Sequence, residues 1–387
     1  MSNSAYENTQ LAVAVCIGAK VPVILWGAPG QGKTSELNAI AKNGGFVMKT
    51  VLASIREPSD FAGLPNIVIN PKTSCASTQL IAPDWAQKIA EVTANGGKAM
   101  LFFDEISTAP PATQAAMLRV ALDRVAGDLY LGDEVSIVAA ANPPEMAADG
   151  WDLAAPMANR FVHINWDLPA DVVQEGFLLG WPKAPTFSAN NELVNLEIQS
   201  ARLLVGSFLG TRTELVTKMP SQNSQENGRA FPTPRSWEMA AKLYGYAKAV
   251  LKGNDIVIRL LVNGCVGQAA STEFLEYVSK MDLPDPEKLL KDPKFYKFDT
   301  KTRSDIVYVI GASVIAAVKN RQPVTKERWN SAGAVFTEIV KAQHTDIAVA
   351  LAIRWMADDI RMDKHWMPAD ILLMDLIPIL EEARILS

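Results

Sequence analysis

Short apolar runs that end in polar or glycine-rich turns dominate the first part of the chain. Such runs occupy residues 21–26, 100–103 and 135–141. An apolar run of this length bounded by turn residues is typical of a buried strand. Helical spacing of apolar residues follows the first run over residues 35–42 and stops at Asn43-Gly44-Gly45. The pattern therefore predicts an α/β domain with a parallel sheet over residues 1–185.

Beyond the loop-like residues 181–185, the apolar spacing becomes helical. Breakers such as Leu283-Pro284-Asp285-Pro286 separate the segments. We expect a helical lid over residues 186–280 and a helical C-terminal extension over residues 281–387. Helices are predicted near residues 197–210, 235–251, 255–269, 304–319, 325–342, 345–360 and 369–385.

Composition and charge give no support to several classes of protein. The 387 residues include 37 basic and 42 acidic ones, for a net charge of −5, and no long basic run is present, so there is no nucleic-acid signal. Residues 11–19 are apolar but lack a preceding Lys or Arg, and the apolar stretch 307–318 is too short to span a bilayer. We therefore expect no targeting or membrane segment.

The cysteines and histidines show no metal-ligand or disulfide spacing. This pattern favours a reduced, cytoplasmic setting and predicts no zinc site. These residues are Cys16, Cys75, Cys265, His163, His344 and His365.

The turn after the first apolar run carries the clearest chemistry. Its sequence, Gly27-Ala28-Pro29-Gly30-Gln31-Gly32-Lys33-Thr34, fits the phosphate-loop pattern in the required strand-loop-helix context. Glycines let backbone N–H groups turn toward phosphate, a lysine adds a point charge, and the threonine hydroxyl can hold Mg²⁺. We predict that ATP binds to Gly27, Pro29, Gly30, Gln31, Gly32, Lys33, Thr34 and Ser35.

The other two apolar runs end in groups that complete such a site. Asp104 and Glu105 follow the second run, where Asp104 would hold Mg²⁺ and Glu105 would polarise the attacking water. Asn142 follows the third run, before Pro143, and could reach the γ-phosphate. Taken singly, Asp-Glu at the end of a strand is as often a charged strand end as a functional pair, and an Asn-Pro dipeptide is more often only a turn.

These residues resemble the AAA+ ATPases, and within them the MoxR-like branch, which includes gas-vesicle, nitric-oxide-reductase and cobalt-chelatase accessory ATPases. The matching stretches are residues 27–34, 101–118 and 140–143, with a further likeness at 58–63, and the similarity extends over roughly residues 10–245. It implies a P-loop AAA+ parallel sheet flanked by helices, with ATP and Mg²⁺ as ligands and Asn142 as the first sensor.

The resemblance also implies roles for two arginines. Arg160, in Ala158-Asn159-Arg160-Phe161, corresponds to the arginine finger that reaches a neighbouring subunit's nucleotide. Arg235 corresponds to the second sensor. It follows Thr233-Pro234, an N-cap with proline at the first helical position, and a cation there favours an anionic partner. Ordinary ion pairs remain the alternative for both. The chain departs from the family pattern over residues 149–156.

The resemblance implies that the subunits form a ring, commonly a hexamer in this family. The ring would hydrolyse ATP at subunit interfaces to remodel a protein partner. That partner would be a separate von Willebrand A-type polypeptide or another client, and a metal-chelatase motor is a specialised form. A nucleotide-gated scaffold with little hydrolysis and a small-molecule kinase are the alternatives. Residues 54–84 and the predicted hairpin at 127–133 could line a pore, where Phe61 or Tyr130 would contact the client unless each is simply packed.

Overall fold

The computed structural model describes residues 2–69, 74–143, 146, 151–181, 183–187, 191–220, 228–251, 254–281, 283–320, 323–356 and 366. The helix predicted at 369–385, His365, and Asp149 and Gly150 of the divergent stretch lie outside these residues. The chain groups into two compact units, residues 1–189 with 214–272 and residues 190–213 with 273–387. The division into three domains at 185 and 280 stays a prediction.

Nine strands occur in the described residues, and all belong to the first unit. They are β1 Val23–Trp26, β2 Phe46–Leu52, β3 Leu64–Ile69, β4 Ala76–Ile81, β5 Lys98–Asp104, β6 Val125–Ala126, β7 Leu129–Tyr130, β8 Val135–Ala141 and β9 Val162–Asn165. The three apolar runs thus form β1, β5 and β8, as predicted.

The described helices are distributed along the whole chain. They are α1 Ser2–Gly18, α2 Lys33–Gly44, α3 Ser59–Ala62, α4 Asp84–Ala94, α5 Pro111–Asp123, α6 Ala155–Ala158, α7 Ala170–Leu179, α8 Asn191–Thr211, α9 Pro234–Leu251, α10 Asp255–Val266, α11 Gln268–Ser279, α12 Pro286–Lys291, α13 Ser304–Asn320, α14 Lys326–Lys341 and α15 Thr345–Trp355. None of these helices is long and apolar enough to cross a membrane.

The main sheet is parallel and has the order β2-β5-β8-β1-β9. Every residue of β1 and β8 is buried, because helices cover both faces and each strand therefore needs apolar side chains on both sides. With helices flanking the sheet and a helical C-terminal region, the predicted P-loop AAA+ fold is confirmed.

Sheet register brings the polar strand ends together. Phe103 of β5 lies beside Ala139 of β8, and Ala141 of β8 lies beside Trp26 of β1. The phosphate loop, Asp104 and Asn142 follow these residues directly. They therefore share the carboxyl edge of the sheet, where ligands bind in open α/β sheets.

Two hairpins extend from the first unit. β6 and β7 form the hairpin predicted near residues 127–133, and β3 and β4 form a second one that the sequence did not predict. Phe61 is only 1% exposed and packs against Phe103 and Trp85, so it is a core residue and the exposed, client-gripping role is wrong for it. Tyr130 is 50% exposed.

The β3–β4 hairpin presents apolar side chains to solvent. Its exposed apolar residues are Leu64, Ile67, Ile69 and Ile81. The strands themselves carry no charged residue. Exposed apolar surface of this kind marks interaction sites in soluble proteins.

The second unit has its own apolar core, formed by α12–α15 and the segment between α12 and α13. At its centre, the rings of Trp329 and Trp355 stack with centroids 4.2 Å apart and an interplanar angle of 19°. Each indole N–H donates to the other residue's backbone oxygen, at 3.2 Å from Trp329 and 2.9 Å from Trp355. The pair locks α14 to α15 while leaving no buried indole N–H without an acceptor.

Candidate nucleotide site

The phosphate loop has the backbone that its glycines predict. Gly30 and Gly32 have φ values of 77° and 72°, in the left-handed region that favours glycine. Gly27 is required for a different reason, because a Cβ there would lie 2.4 Å from the backbone oxygen of Trp166. Pro29 and Gly30 form the exposed tip of the loop, and Gly32 precedes the first residue of α2. The loop is thus curled at the N-terminus of a helix, which favours anions.

Lys33 connects the loop to the neighbouring strand. Its buried Nζ donates to Gly27 O at 2.5 Å, to Ala28 O at 3.0 Å and to Asn142 Oδ1 at 3.2 Å. Burial lowers the pKa of Lys33, and Asp104 opposes that shift. The ammonium therefore lies between the loop and the predicted first sensor, where it can attract phosphate oxygens.

Thr34 and Asp104 form the predicted metal pair. Thr34 Oγ1 donates to Asp104 Oδ2 at 3.4 Å, across the gap between α2 and the end of β5. Burial raises the pKa of the Asp104 carboxyl, and the N–H of Glu105, which donates to Oδ1 at 3.0 Å, acts in the opposite sense. A hydroxyl and a carboxylate oxygen side by side are hard donors that fit Mg²⁺.

Glu105 has a backbone that few non-glycine residues adopt. Its φ is 57°, in the left-handed region, so its side chain leaves the end of β5 at an angle that an extended residue would not have. Its Oε2 accepts a hydrogen bond of 2.7 Å from Ser54 Oγ. Sequence reasoning missed Ser54, because its nearness to Glu105 depends on the pairing of β2 with β5, which puts Leu52 beside Asp104.

The backbone of Asn142 is hydrogen-bonded to Ser107, which lies in the turn after β5. The Asn142 N–H donates to Ser107 Oγ at 3.2 Å, and that hydroxyl contacts Asn142 O at 3.3 Å. Ser107 is 1% exposed. The backbone of Asn142 is therefore fixed, so its side chain stays beside Lys33.

A cavity of about 450 Å³ opens beside the phosphate loop. Gln31 closes one side of it, since its backbone oxygen accepts from Trp166 Nε1 at 2.8 Å and its Oε1 accepts from Leu168 N at 3.0 Å. The volume suits a small organic ligand. The lining residues are Tyr6, Gly30, Gln31, Gly32, Ser35, Glu36, Ala39, Leu168, Val173, Phe177 and Trp181.

Arg160 lies at the opposite edge of the sheet. β9 runs parallel to β1 with Val162 beside Val23, so Arg160, which precedes β9, lies at the amino edge, whereas the phosphate loop follows β1 at the carboxyl edge. A four-residue strand separates these edges by roughly 10 Å along β1 alone. The structure therefore does not bring Arg160 together with Lys33, Asp104 and Asn142 of the same chain.

Arg235 lies near Arg160. The predicted N-cap is confirmed, because Ser236 N donates to Thr233 Oγ1 at 3.1 Å and α9 begins at Pro234. Thr233 Oγ1 also donates to Asn159 Oδ1 at 2.8 Å, which ties the start of α9 to the turn that carries Arg160. The first turn of α9 therefore lies at the amino edge as well.

The two guanidinium groups repel each other. Burial, and then the charge of Arg235, lower the pKa of Arg160, while the charge of Asp123 opposes that shift. Arg160 donates to Pro156 O, and its Nε is buried without a hydrogen-bond partner within the described part of the chain. Two close cations with an unused N–H favour an anionic ligand at this edge.

Comparisons with known proteins add little evidence about the function of this chain. No family model matches the chain, and no curated protein matches it. A solved structure, that of a "putative ATPase" from Cytophaga hutchinsonii, is similar to this chain at 14% identity and a TM-score of 0.39, over 72% of this chain and 89% of that one. A likeness this weak carries no argument, so the assignment depends on the chain's own residues.

Proposed function

We propose that this protein is a magnesium-dependent ATPase of the MoxR-like AAA+ type, which works as a ring and remodels or assembles a protein partner. The observation that carries the proposal is the division of the site between the two edges of one sheet. The phosphate loop, Asp104, Glu105 and Asn142 share the carboxyl edge, whereas Arg160 and Arg235 share the amino edge. Each edge supplies half of a phosphoryl-transfer site.

Within one chain, the carboxyl edge binds the nucleotide and activates water. Backbone N–H groups of the loop and the ammonium of Lys33 bind the phosphates. Asn142, beside Lys33, orients the γ-phosphate or the water, and Glu105 accepts the proton of the attacking water. Thr34 and Asp104 would hold Mg²⁺, which when bound offsets negative charge on the phosphates.

The amino edge of a neighbouring chain completes this site. A planar guanidinium is suited to the charge that develops on the γ-phosphoryl oxygens, and that anion would relieve the repulsion between Arg160 and Arg235. Under this proposal Arg160 acts in trans, and Arg235, whose charge acts on Arg160, joins it at the same interface. This arrangement favours a closed ring of identical subunits, which we take to be a hexamer.

The protein that this ATPase remodels is proposed to be a separate polypeptide. The β3–β4 hairpin, whose strands carry no charged residue, and the half-exposed Tyr130 are the surfaces of the first unit that we propose for contact with a client. A von Willebrand A-type partner remains part of the proposal, and nothing in the geometry selects a metal-chelatase complex.

One observation favours a second candidate, a nucleotide-gated scaffold with little hydrolysis. Ser54 already donates a hydrogen bond to the carboxylate of Glu105, the group that must receive the proton of water. A restrained base would keep turnover low until binding of a partner moved the segment that follows β2. The two candidates therefore differ in basal turnover.

The proposed function predicts ATP hydrolysis that depends on both Mg²⁺ and protein concentration. Because the site is shared between chains, specific activity should rise with concentration until the ring is assembled, and then level off. Phosphate release is measured over a concentration series, in parallel with mass by light scattering. Bound ATP without turnover in the assembled ring would favour the scaffold, whereas full activity in a monomer would contradict a shared site.

Replacing Ser54 by Ala should raise basal hydrolysis by about two- to tenfold, the scale of one hydrogen bond worth about 0.5 to 1.5 kcal/mol. The change frees the Glu105 carboxylate oxygen that Ser54 contacts, so that this oxygen can contact the attacking water. Steady-state hydrolysis is compared with that of Ser331→Ala, which removes a partly buried hydroxyl from α14 in the second unit. A drop in activity instead would mean that Ser54 positions Glu105 for catalysis.

A further inference from the structure

The cavity beside the phosphate loop contains one carboxylate, that of Glu36. This residue lies in the first turn of α2, three positions after Lys33, and lines the cavity together with Tyr6. The rest of the wall away from the loop is apolar or aromatic, formed by Ala39, Leu168, Val173, Phe177 and Trp181. A lone carboxylate in such a wall is an orienting polar group of the kind that fixes a ligand.

Two residues of α1 hold Glu36 in place. Gln10 Nε2 donates to Glu36 Oε1 at 2.9 Å, and the Tyr6 hydroxyl is hydrogen-bonded to the same carboxyl group. Tyr6 and Gln10 are only 6% and 5% exposed, and the Tyr6 ring meets Trp166 edge-on with centroids 5.4 Å apart. Their spacing of four positions places both side chains on one face of α1. Glu36 is therefore oriented before any ligand arrives.

The groups that already donate hydrogen bonds to Glu36 determine which role is left for a ligand. The amide of Gln10 and the phenol of Tyr6 both direct protons at Glu36. A carboxylate has about four acceptor positions, so oxygen lone pairs remain for a ligand. On this wall the protein thus offers acceptors, and a ligand group that contacts it must be a donor.

We propose that Glu36 recognises the nucleoside part of the nucleotide by accepting a hydrogen bond from one of its amino or hydroxyl groups. This inference rests on the proposed function, because it assumes that phosphates occupy the adjacent loop. The nucleoside then enters the cavity, and its ring packs against the apolar wall that includes Phe177 and Trp181. Glu36 becomes the residue that determines specificity, since a nucleoside that lacks the donor shields the carboxylate from water without offering it a hydrogen bond in return.

The experiment measures dissociation constants by calorimetry with Mg²⁺ for five probes. They are ATP, purine riboside 5′-triphosphate, which lacks the 6-amino group, 2′-deoxy-ATP, 3′-deoxy-ATP and inorganic tripolyphosphate. The wild type should bind ATP about tenfold or more tightly than whichever analogue lacks the donor. The analogue that weakens identifies the source of the donor as the base or the sugar.

In Glu36→Ala, the ratio of the ATP and analogue affinities should fall toward one, whereas Glu36→Gln, which keeps one amide acceptor, should retain part of the discrimination. Tripolyphosphate should bind these variants at least as tightly as the wild type, since a carboxylate near the phosphates has been removed. Glu7→Gln is the matched control, because it makes the same change on the exposed surface of α1, outside the cavity lining. Unfolding temperatures show whether the variants fold.

The outcomes separate the two proposals. A wild type that does not discriminate, or a Glu36→Ala variant that keeps the full discrimination, overturns the role of Glu36 while leaving the ATPase proposal intact. If neither ATP nor tripolyphosphate binds, the phosphate site itself fails, and both proposals fail with it.

Discussion

Glu105→Gln is expected to lower ATP hydrolysis by a factor of roughly 10² to 10⁴, the usual contribution of a general base, while ATP binding persists. Glutamine keeps the shape of the side chain but cannot take the proton of the attacking water. The loop, Lys33 and the Thr34–Asp104 pair are untouched, so affinity for nucleotide should stay within about threefold of the wild type. Single-turnover hydrolysis and nucleotide titration measure the two quantities separately.

Glu91→Gln is the matched control for this change, because it neutralises a carboxylate on the exposed side of α4. The control should hydrolyse ATP as fast as the wild type. If Glu105→Gln retained more than a tenth of wild-type turnover, Glu105 would not be the base. Asp104 or a phosphate oxygen would then have to receive the proton.

Arg160→Ala should reduce hydrolysis by roughly a thousandfold or more, which is the range known for an arginine finger. The loss comes from the charge that develops on the γ-phosphoryl group, and the chain's own nucleotide site stays intact. ATP binding by the isolated subunit should therefore be close to normal. Turnover is measured at a protein concentration at which the wild type is fully assembled.

Mixing two inactive variants tests whether the arginine acts across subunits. A Glu105→Gln subunit still carries Arg160, and an Arg160→Ala subunit still carries Glu105. A mixed ring therefore contains some interfaces in which both groups are intact, and activity should reappear on mixing. An inactive mixture whose subunits exchange freely would contradict the trans arrangement, and the same test with Arg235→Ala determines whether Arg235 also acts in trans.

The strands that build the site were predictable because they are buried on both faces and carry little but apolar residues. The three apolar runs became β1, β5 and β8, and the polar residues that end them meet at one edge, as parallel pairing requires. The N-cap at Thr233 was equally local and is confirmed. The phosphate-loop residues were predictable from their motif, because each of its glycines is required by the backbone conformation or by a close contact.

Residues brought together by pairing between distant segments were not predictable in this way. Ser54 reaches Glu105 only because β2 pairs with β5, and β2 is a half-exposed edge strand with a mixed pattern. The β3–β4 hairpin was not predicted, because strands exposed on both faces show no alternation of apolar and polar residues. Tyr6 and Gln10 belong to a helix whose apolar residues give no amphipathic stripe, so their contact with Glu36 had no signal in the sequence.

The stacked tryptophans of the second unit have a spectroscopic consequence. Two indole rings with centroids 4.2 Å apart are close enough for their electronic transitions to couple. Such coupling gives a paired band of opposite signs in the far-ultraviolet circular dichroism spectrum, and the band disappears when the rings separate. The pair is thus a built-in optical reporter for α14 and α15, which makes the melting of the C-terminal helices visible without a label.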